Sequence, residues 1–224
     1  MNGLARRFAC LATGSLRKLP WFDGSGVVAR PKRAICWDMN AISPALPDIA
    51  ISEMPAWLVG ELRSDHAGET GAVMIYRGIL AFCRDPAIRE FAERHGATEQ
   101  GHLDLLNALL PQDQHSRLLP IWRIAGWLTG AIPAIFGPHV VYATIDAVES
   151  FVDHHYQQQL DRLEAESLFP PLQALLRHCQ EEEIHHRDEA REASEGRAYG
   201  PLIHAWAWVV SAGSKAAVAA AKRI

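Results

Sequence analysis

The sequence predicts an all-α protein: a four-helix bundle built from an internal duplication, with further apolar helices outside it. Three observations predict this. Apolar residues recur at spacings of three and four through several long runs, and Pro or Gly breaks separate those runs near 55, 86, 111, 137–138, 170–171 and 200–201. A compound motif occurs twice. The first copy is Glu69 in DHAGETGAVMIY followed by Glu99-Gln100-Gly101-His102, and the second is Glu149 in DAVESFVDHHY followed by Glu182-Glu183-Ile184-His185. Glu69 and Glu149 each have a Tyr seven residues on, Tyr76 and Tyr156. Third, the repeated E-x-x-H is a helical spacing, because at about 3.6 residues per turn its Glu and His fall on one face, one turn apart.

Such a pair can grip one ion. Two E-x-x-H helices and two helices that each give a single Glu supply four carboxylates and two imidazoles, the ligand set of ferritin-like di-iron bundles. Hard oxygen ligands with one imidazole per ion suit iron or manganese, whereas a structural zinc site would favour thiolates. The expected ligands are Glu69, Glu99, His102, Glu149, Glu182 and His185. Glu183 with His186 has the same spacing as Glu182 with His185. The Glu182 register is chosen because Arg177-His178 then matches Arg94-His95 of the first copy.

The first bundle helix is expected over about Ala56 to Phe82, with Leu58, Leu62, Val73, Ile75 and Ile79 as apolar contacts. Gly68 and Gly71 flank its Glu69, a cost of about 1 kcal/mol each in a helix interior, which points to close approach of another group. Asp85-Pro86 opens the second helix as cap and first-turn residue, and Pro111 ends it. Leu118 to Phe136 is the most apolar stretch; Arg123 lies in it and Pro120 and Pro133 interrupt it, so with Trp122, Trp127 and Phe136 it suits a helix lying in a membrane interface, with a buried core helix of the bundle as the alternative. The next helix runs from about His139 to Glu164, another from Pro170-Pro171 to near Gly196, and a last one from Leu202 to about Lys222.

A chain of 224 residues can bury one sizeable core. Net charge is −4, so bulk electrostatics give no sign of a nucleic-acid partner. The four cysteines, Cys10, Cys36, Cys83 and Cys179, are scattered without a C-x-x-C pair and read as reduced thiols. Residues 1–36 carry seven Arg or Lys against one acid, Asp23. Residues 1–54 are therefore expected to be a basic, poorly ordered leader and Pro-containing linker, with a mitochondrial targeting segment as the alternative for its start. Residues 55–224 form the expected helical domain.

At DHAGETGA, the two E-x-x-H pairs, AVESFVDHHYQQQL and EEEIHHRDEA, the chain resembles the demethoxyubiquinone hydroxylase family of ubiquinone biosynthesis, from about Pro55 to the C-terminus. Carried over position by position, the family's iron ligands fall on the six residues named above, with one of Glu69 and Glu149 expected to bridge. The family more often has an aromatic where this chain has Thr70, and Val where it has Ser64; neither change removes a ligand. The resemblance implies a di-iron monooxygenase that hydroxylates the ring of a polyprenylated benzoquinol like 5-demethoxyubiquinol, using two Fe2+ ions per chain, O2 and an external reductant. No Gly-rich dinucleotide fingerprint is present, so reducing equivalents come from outside the chain. His155 and Tyr156, six and seven residues past Glu149, and Arg63, six before Glu69, are the candidates for orienting quinol oxygens or passing protons and electrons. Expected partners are the quinol, a membrane surface and a lipid-binding accessory protein. The expected location is the cytoplasmic face of a bacterial inner membrane, or else the matrix face of the mitochondrial inner membrane. Two other readings compete: a di-metal oxidase or peroxidase of the same bundle class, which would lack the apolar stretch, and a non-catalytic lipid-binding assembly protein, which would have lost a ligand.

Overall fold

Among the described residues six α-helices follow one another in the order the Pro and Gly breaks mark: α1 (Ala56–Phe82), α2 (Pro86–Leu109), α3 (Leu119–Phe136), α4 (Pro138–Ala165), α5 (Pro170–Ala193) and α6 (Pro201–Ala221). These come from a computed structural model that describes residues 46–194 and 199–224, all within one compact unit. Residues 1–45 of the expected leader or targeting segment and linker, with Cys10 and Cys36, lie outside the described residues, while the last residues of the linker pack on the bundle through the buried Met54. Local chemistry accounts for the boundaries. The Asp85 carboxylate accepts hydrogen bonds from the backbone N–H groups of Ala87 and Ile88, with Pro86 in the first turn of α2. Proline also opens α4, α5 and α6, and Gly137, at φ 102°, turns the chain between α3 and α4. The prolines of α3 do not interrupt it, because Pro120 sits in its first turn and Pro133 near its end, where few backbone bonds are lost.

The helices α1 and α2 form one antiparallel hairpin and α4 and α5 the other, and the two hairpins close on each other as the bundle. Two apolar clusters plug its ends. One gathers Ile79, Ile88, Phe91, Val141 and Ile145; the other gathers Leu58, Leu62, Leu160, Leu163 and Leu172. A layer of buried polar side chains lies between them.

Outside the bundle, α3 packs against α1 at glycine contacts. A Cβ added to Gly126 would strike the Gly71 carbonyl, one at Gly130 the Ile75 carbonyl, and one at Gly78 the Trp127 carbonyl. Gly71 therefore serves the close approach expected of it, whereas Gly68 has open space beside it and lines a cavity. The opposite face of α3 exposes Ile121, Ile124, Ile135 and Phe136, and α6 exposes Leu202, Trp208 and Val209. Among the described residues α3 alone is long and apolar enough to cross a membrane, by length and composition. Cys83 and Cys179 are buried free thiols.

Candidate metal centre

Each half of the duplication contributes one helix with a single Glu and one with the E-x-x-H pair. On α2 the buried stripe runs His95, Glu99, His102, Leu106, Leu109; on α5 it runs Leu172, Leu175, Cys179, Glu183, His186, Ala190. Both stripes step by three and four, so each E-x-x-H is the polar interruption of an otherwise apolar or aromatic face.

The E-x-x-H pair that α5 buries in the bundle is thereby Glu183 and His186, where Glu182 and His185 had been expected. Moving one residue along a helix rotates a side chain by about 100°. Glu182 and His185 accordingly keep 38% and 33% of their side-chain surface, against 1% and 2% for Glu183 and His186. The Arg-His match that favoured the Glu182 register paired the buried His95 with the partly exposed His178, whereas in the Glu183 register Cys179 takes the offset that His95 has in the first copy. The apolar stripe of Leu172, Leu175, Leu176 and Cys179 was the signal that selects the other register.

Six buried side chains meet between the plugs: Glu69 from α1, Glu99 and His102 from α2, Glu149 from α4, and Glu183 and His186 from α5. They form two overlapping groups, Glu69, Glu99, His102, Glu183 and Glu99, Glu149, Glu183, His186, with ligand-type atoms of each group within 4.8 Å of one another. Glu99 and Glu183 belong to both groups, so the shared positions are the E-x-x-H glutamates rather than Glu69 or Glu149, as had been expected. His102 Nδ1 lies 2.9 Å from Glu183, 3.7 Å from Glu99 and 3.9 Å from Glu69. His186 Nδ1 lies 3.1 Å from Glu99 and 3.5 Å from Glu183.

The donor set fits a pair of cations on an observation independent of spacing. Glu99 Oε2, His102 Nδ1 and both oxygens of Glu183 are buried and meet no hydrogen-bond geometry, and all belong to the six residues that converge. Unpaired buried polar atoms of this kind are costly unless something binds them.

With only protein charges in play, burial and the neighbouring Glu99 and Glu183 carboxylates raise Glu69 well above the usual carboxylate range. Burial, Glu183 and Glu99 do the same to Glu149. For His102, burial opposes the cation, but the close carboxylates of Glu182, Glu183 and Glu99 outweigh it and raise the group. For His186, burial is again outweighed, by Glu183 and Glu99, and the group is pushed up to about 9. These protons take the place that metal charge would fill, since both compensate four carboxylates crowded out of water.

The two tyrosines of the motif cross between halves. Tyr156 of α4 donates to Glu69 Oε1 of α1 at 2.7 Å, and Tyr76 of α1 donates to Glu149 Oε1 of α4 at 3.3 Å. Tyr156 thus orients a candidate ligand; Tyr76, not singled out from sequence, does the same for the other half, and its matching offset was the available signal.

His155 faces a different set. Its Nε2 lies 3.0 Å from Asp65 Oδ1 and 3.2 Å from Ser64 Oγ, and Gln159 donates to the same Asp65 oxygen at 2.8 Å. Asp65 and His155 line a cavity of about 440 Å³ that reaches Glu69, Glu149 and Glu183 and is walled by α3 and α6. Arg63, expected to join in, does not line it. Its guanidinium donates to the Gln114 carbonyl at 2.6 Å and the Lys222 carbonyl at 3.2 Å, tying the α2–α3 connection to the C-terminal end of α6.

Comparison with known proteins decides the family. The sequence model of the ubiquinone biosynthesis protein COQ7 family matches residues 56–221. The chain belongs to this family. Among its curated members, the 3-demethoxyubiquinol 3-hydroxylase of Rhodospirillum rubrum is 35% identical over 175 residues, 76% of this chain and 80% of that protein. The mitochondrial NADPH-dependent 3-demethoxyubiquinone 3-hydroxylase of Caenorhabditis elegans is 31% identical, covering 73% of this chain and 88% of the relative. The Rattus norvegicus protein of the same description is 28% identical over 98% of this chain and 96% of its own length. The COQ7 match spans all six helices and every converging residue, including Glu183 and His186.

Proposed function

We propose that this chain is an O2-dependent hydroxylase acting on the ring of a polyprenylated benzoquinol of the 3-demethoxyubiquinol type, with two iron ions held by Glu69, Glu99, His102, Glu149, Glu183 and His186. One observation carries the reading: a cavity with apolar walls ends on the cluster of orphaned carboxylate and imidazole atoms. The names of the COQ7 relatives supply the substrate class and the type of reaction. A pair of iron ions in that place would provide the redox chemistry that activates O2 for insertion into a C–H bond.

The chain's own residues prepare the rest. Apolar side chains of α3 and α6, among them Trp122, Val209 and Val210, wall the cavity and exclude water around the ring. Asp65, braced by Gln159, holds His155 Nε2 as a hydrogen-bond donor and fixes the imidazole at the cavity wall, where it orients a ring oxygen. Tyr156 and Tyr76 hold Glu69 and Glu149 in place. A long polyprenyl tail does not leave a bilayer cheaply, and the exposed apolar residues of α3 and α6 flank the cavity they wall, so the protein docks on the membrane through these two helices. The proposed setting is the cytoplasmic face of a bacterial inner membrane. The reductant comes from outside the chain, with NADPH favoured by the descriptions of the mitochondrial relatives.

The test is complementation of a ubiquinone-deficient strain that accumulates the demethoxy precursor. The wild-type chain should convert the precursor and Glu149→Ala should not. A wild-type chain that is well expressed and iron-loaded yet leaves the precursor untouched would overturn the reading.

A further inference from the structure

We infer that Glu182 is a positioning residue behind His102, and that it makes the two ion positions inequivalent, the one built on Glu69 and His102 being the tighter. The inference rests on the metal-site reading above.

Glu182 Oε2 lies 2.6 Å from His102 Nε2. A carboxylate only accepts, so Nε2 carries the hydrogen and donates, and in the neutral, ligating form of the ring this leaves the lone pair on Nδ1. Nδ1 is the nitrogen that faces Glu183, Glu99 and Glu69 and has no hydrogen-bond partner. The ring is therefore held in the tautomer and orientation a metal ligand needs. His178, one turn before Glu182 on α5, approaches the same carboxylate oxygen at 3.5 Å and braces it from the solvent side.

The second imidazole has no such support. His186 also presents Nδ1 to the shared glutamates, but its flank meets the His95 ring, centroids 4.1 Å apart and edge to face. Among the described residues no carboxylate stands against His186 Nε2. The carboxylate on that side, Glu189, is engaged by Arg94 and by His95 Nε2. The asymmetry is written in the duplication itself. Glu182 immediately precedes the ligand glutamate of its E-x-x-H, and the matched position before Glu99 is Thr98. A carboxylate that accepts from a ligating imidazole raises the basicity of the coordinating nitrogen and fixes the ring, and loss of such a partner weakens metal binding by about 10- to 100-fold.

The experiment titrates Co2+ into metal-stripped protein, followed by calorimetry and visible absorption. Wild type should bind two ions in two resolved steps. Glu182→Ala should weaken the first step by about 10- to 100-fold and shift the absorption of the first equivalent, with the second step unchanged as the sign of an intact fold. Glu182→Gln keeps an acceptor in place and should restore part of the loss. Glu181→Ala removes the same charge from a neighbouring exposed position and should titrate like wild type. The inference is overturned if Glu182→Ala binds its first ion as wild type does, or if Glu181→Ala weakens binding as much. Failure of the wild-type chain to bind two ions would instead overturn the metal centre as a whole.

Discussion

At the scale of single residues, a one-position choice on α5 separates a buried candidate ligand from its half-exposed neighbour. Glu183 is shared by both groups of ligand atoms, whereas His185 sits on the outer side near Glu189 at 3.7 Å. Glu183→Ala should reduce tightly bound iron from two per chain to below one and lower hydroxylation by about 100-fold or more, while His185→Ala should retain both ions. Elemental analysis of desalted protein beside a turnover assay checks both. His155 is separable from the metal centre, because its contacts are Asp65, Ser64 and the cavity. His155→Ala should leave iron content unchanged and slow turnover by about 10- to 100-fold, measured as product formed per iron-loaded chain.

At the scale of elements, the position of α3 depends on glycines that allow two helix backbones to touch. A methyl group at Gly130 would fall on the Ile75 carbonyl, which is backbone and cannot rotate away, whereas one at Gly101 meets nothing within 4 Å. Gly130→Ala should therefore destabilise the protein by about 1–3 kcal/mol and displace the wall of the cavity. Gly101→Ala, on an exposed part of α2, should stabilise it by up to about 1 kcal/mol through helix propensity. Urea unfolding of the two variants beside wild type would give the opposite signs, and equal effects would mean that the α1–α3 approach is looser than described. This α1–α3 crossing was only partly legible in the sequence: Gly71 was suspected, but its partner glycines on α3, seventeen residues past the end of α2 at the nearest, could not be paired without the fold.

At the scale of the molecule, two apolar plugs enclose four carboxylates, an arrangement that is costly until compensated by protons or by metal. His186 is pushed up to about 9 in the fold, against about 6.5 when unfolded, so its contribution is fully present below pH 6.5 and is lost as pH rises through about 9. His102, Glu69 and Glu149 are also raised and act with the same sign. Chelator-stripped protein should thus lose thermal stability between pH 6.5 and 9, and added iron should restore it by about 2.7 kcal/mol when free metal is 100-fold above Kd. Calorimetric melting with and without metal across that range is the check, and a stripped protein that gains stability with rising pH would contradict the charge balance described.

The helices, their order and four of the six converging side chains can be read from the sequence. These follow from properties that a helix carries locally: Pro and Asp at its start, apolar spacing of three and four, and Glu and His one turn apart. Tertiary structure alone decided the rest. Which of two equally spaced E-x-x-H registers faces inward depends on how α5 is rotated about its axis, and packing of Leu172, Leu175, Leu176 and Cys179 against the other helices sets that rotation. The crossing of Tyr76 and Tyr156 to opposite glutamates, the use of Arg63 as a tie for the C-terminal end, and the shared positions of Glu99 and Glu183 depend likewise on distances between residues far apart in the chain. No local spacing encodes those distances, because they arise only when the two halves close on each other.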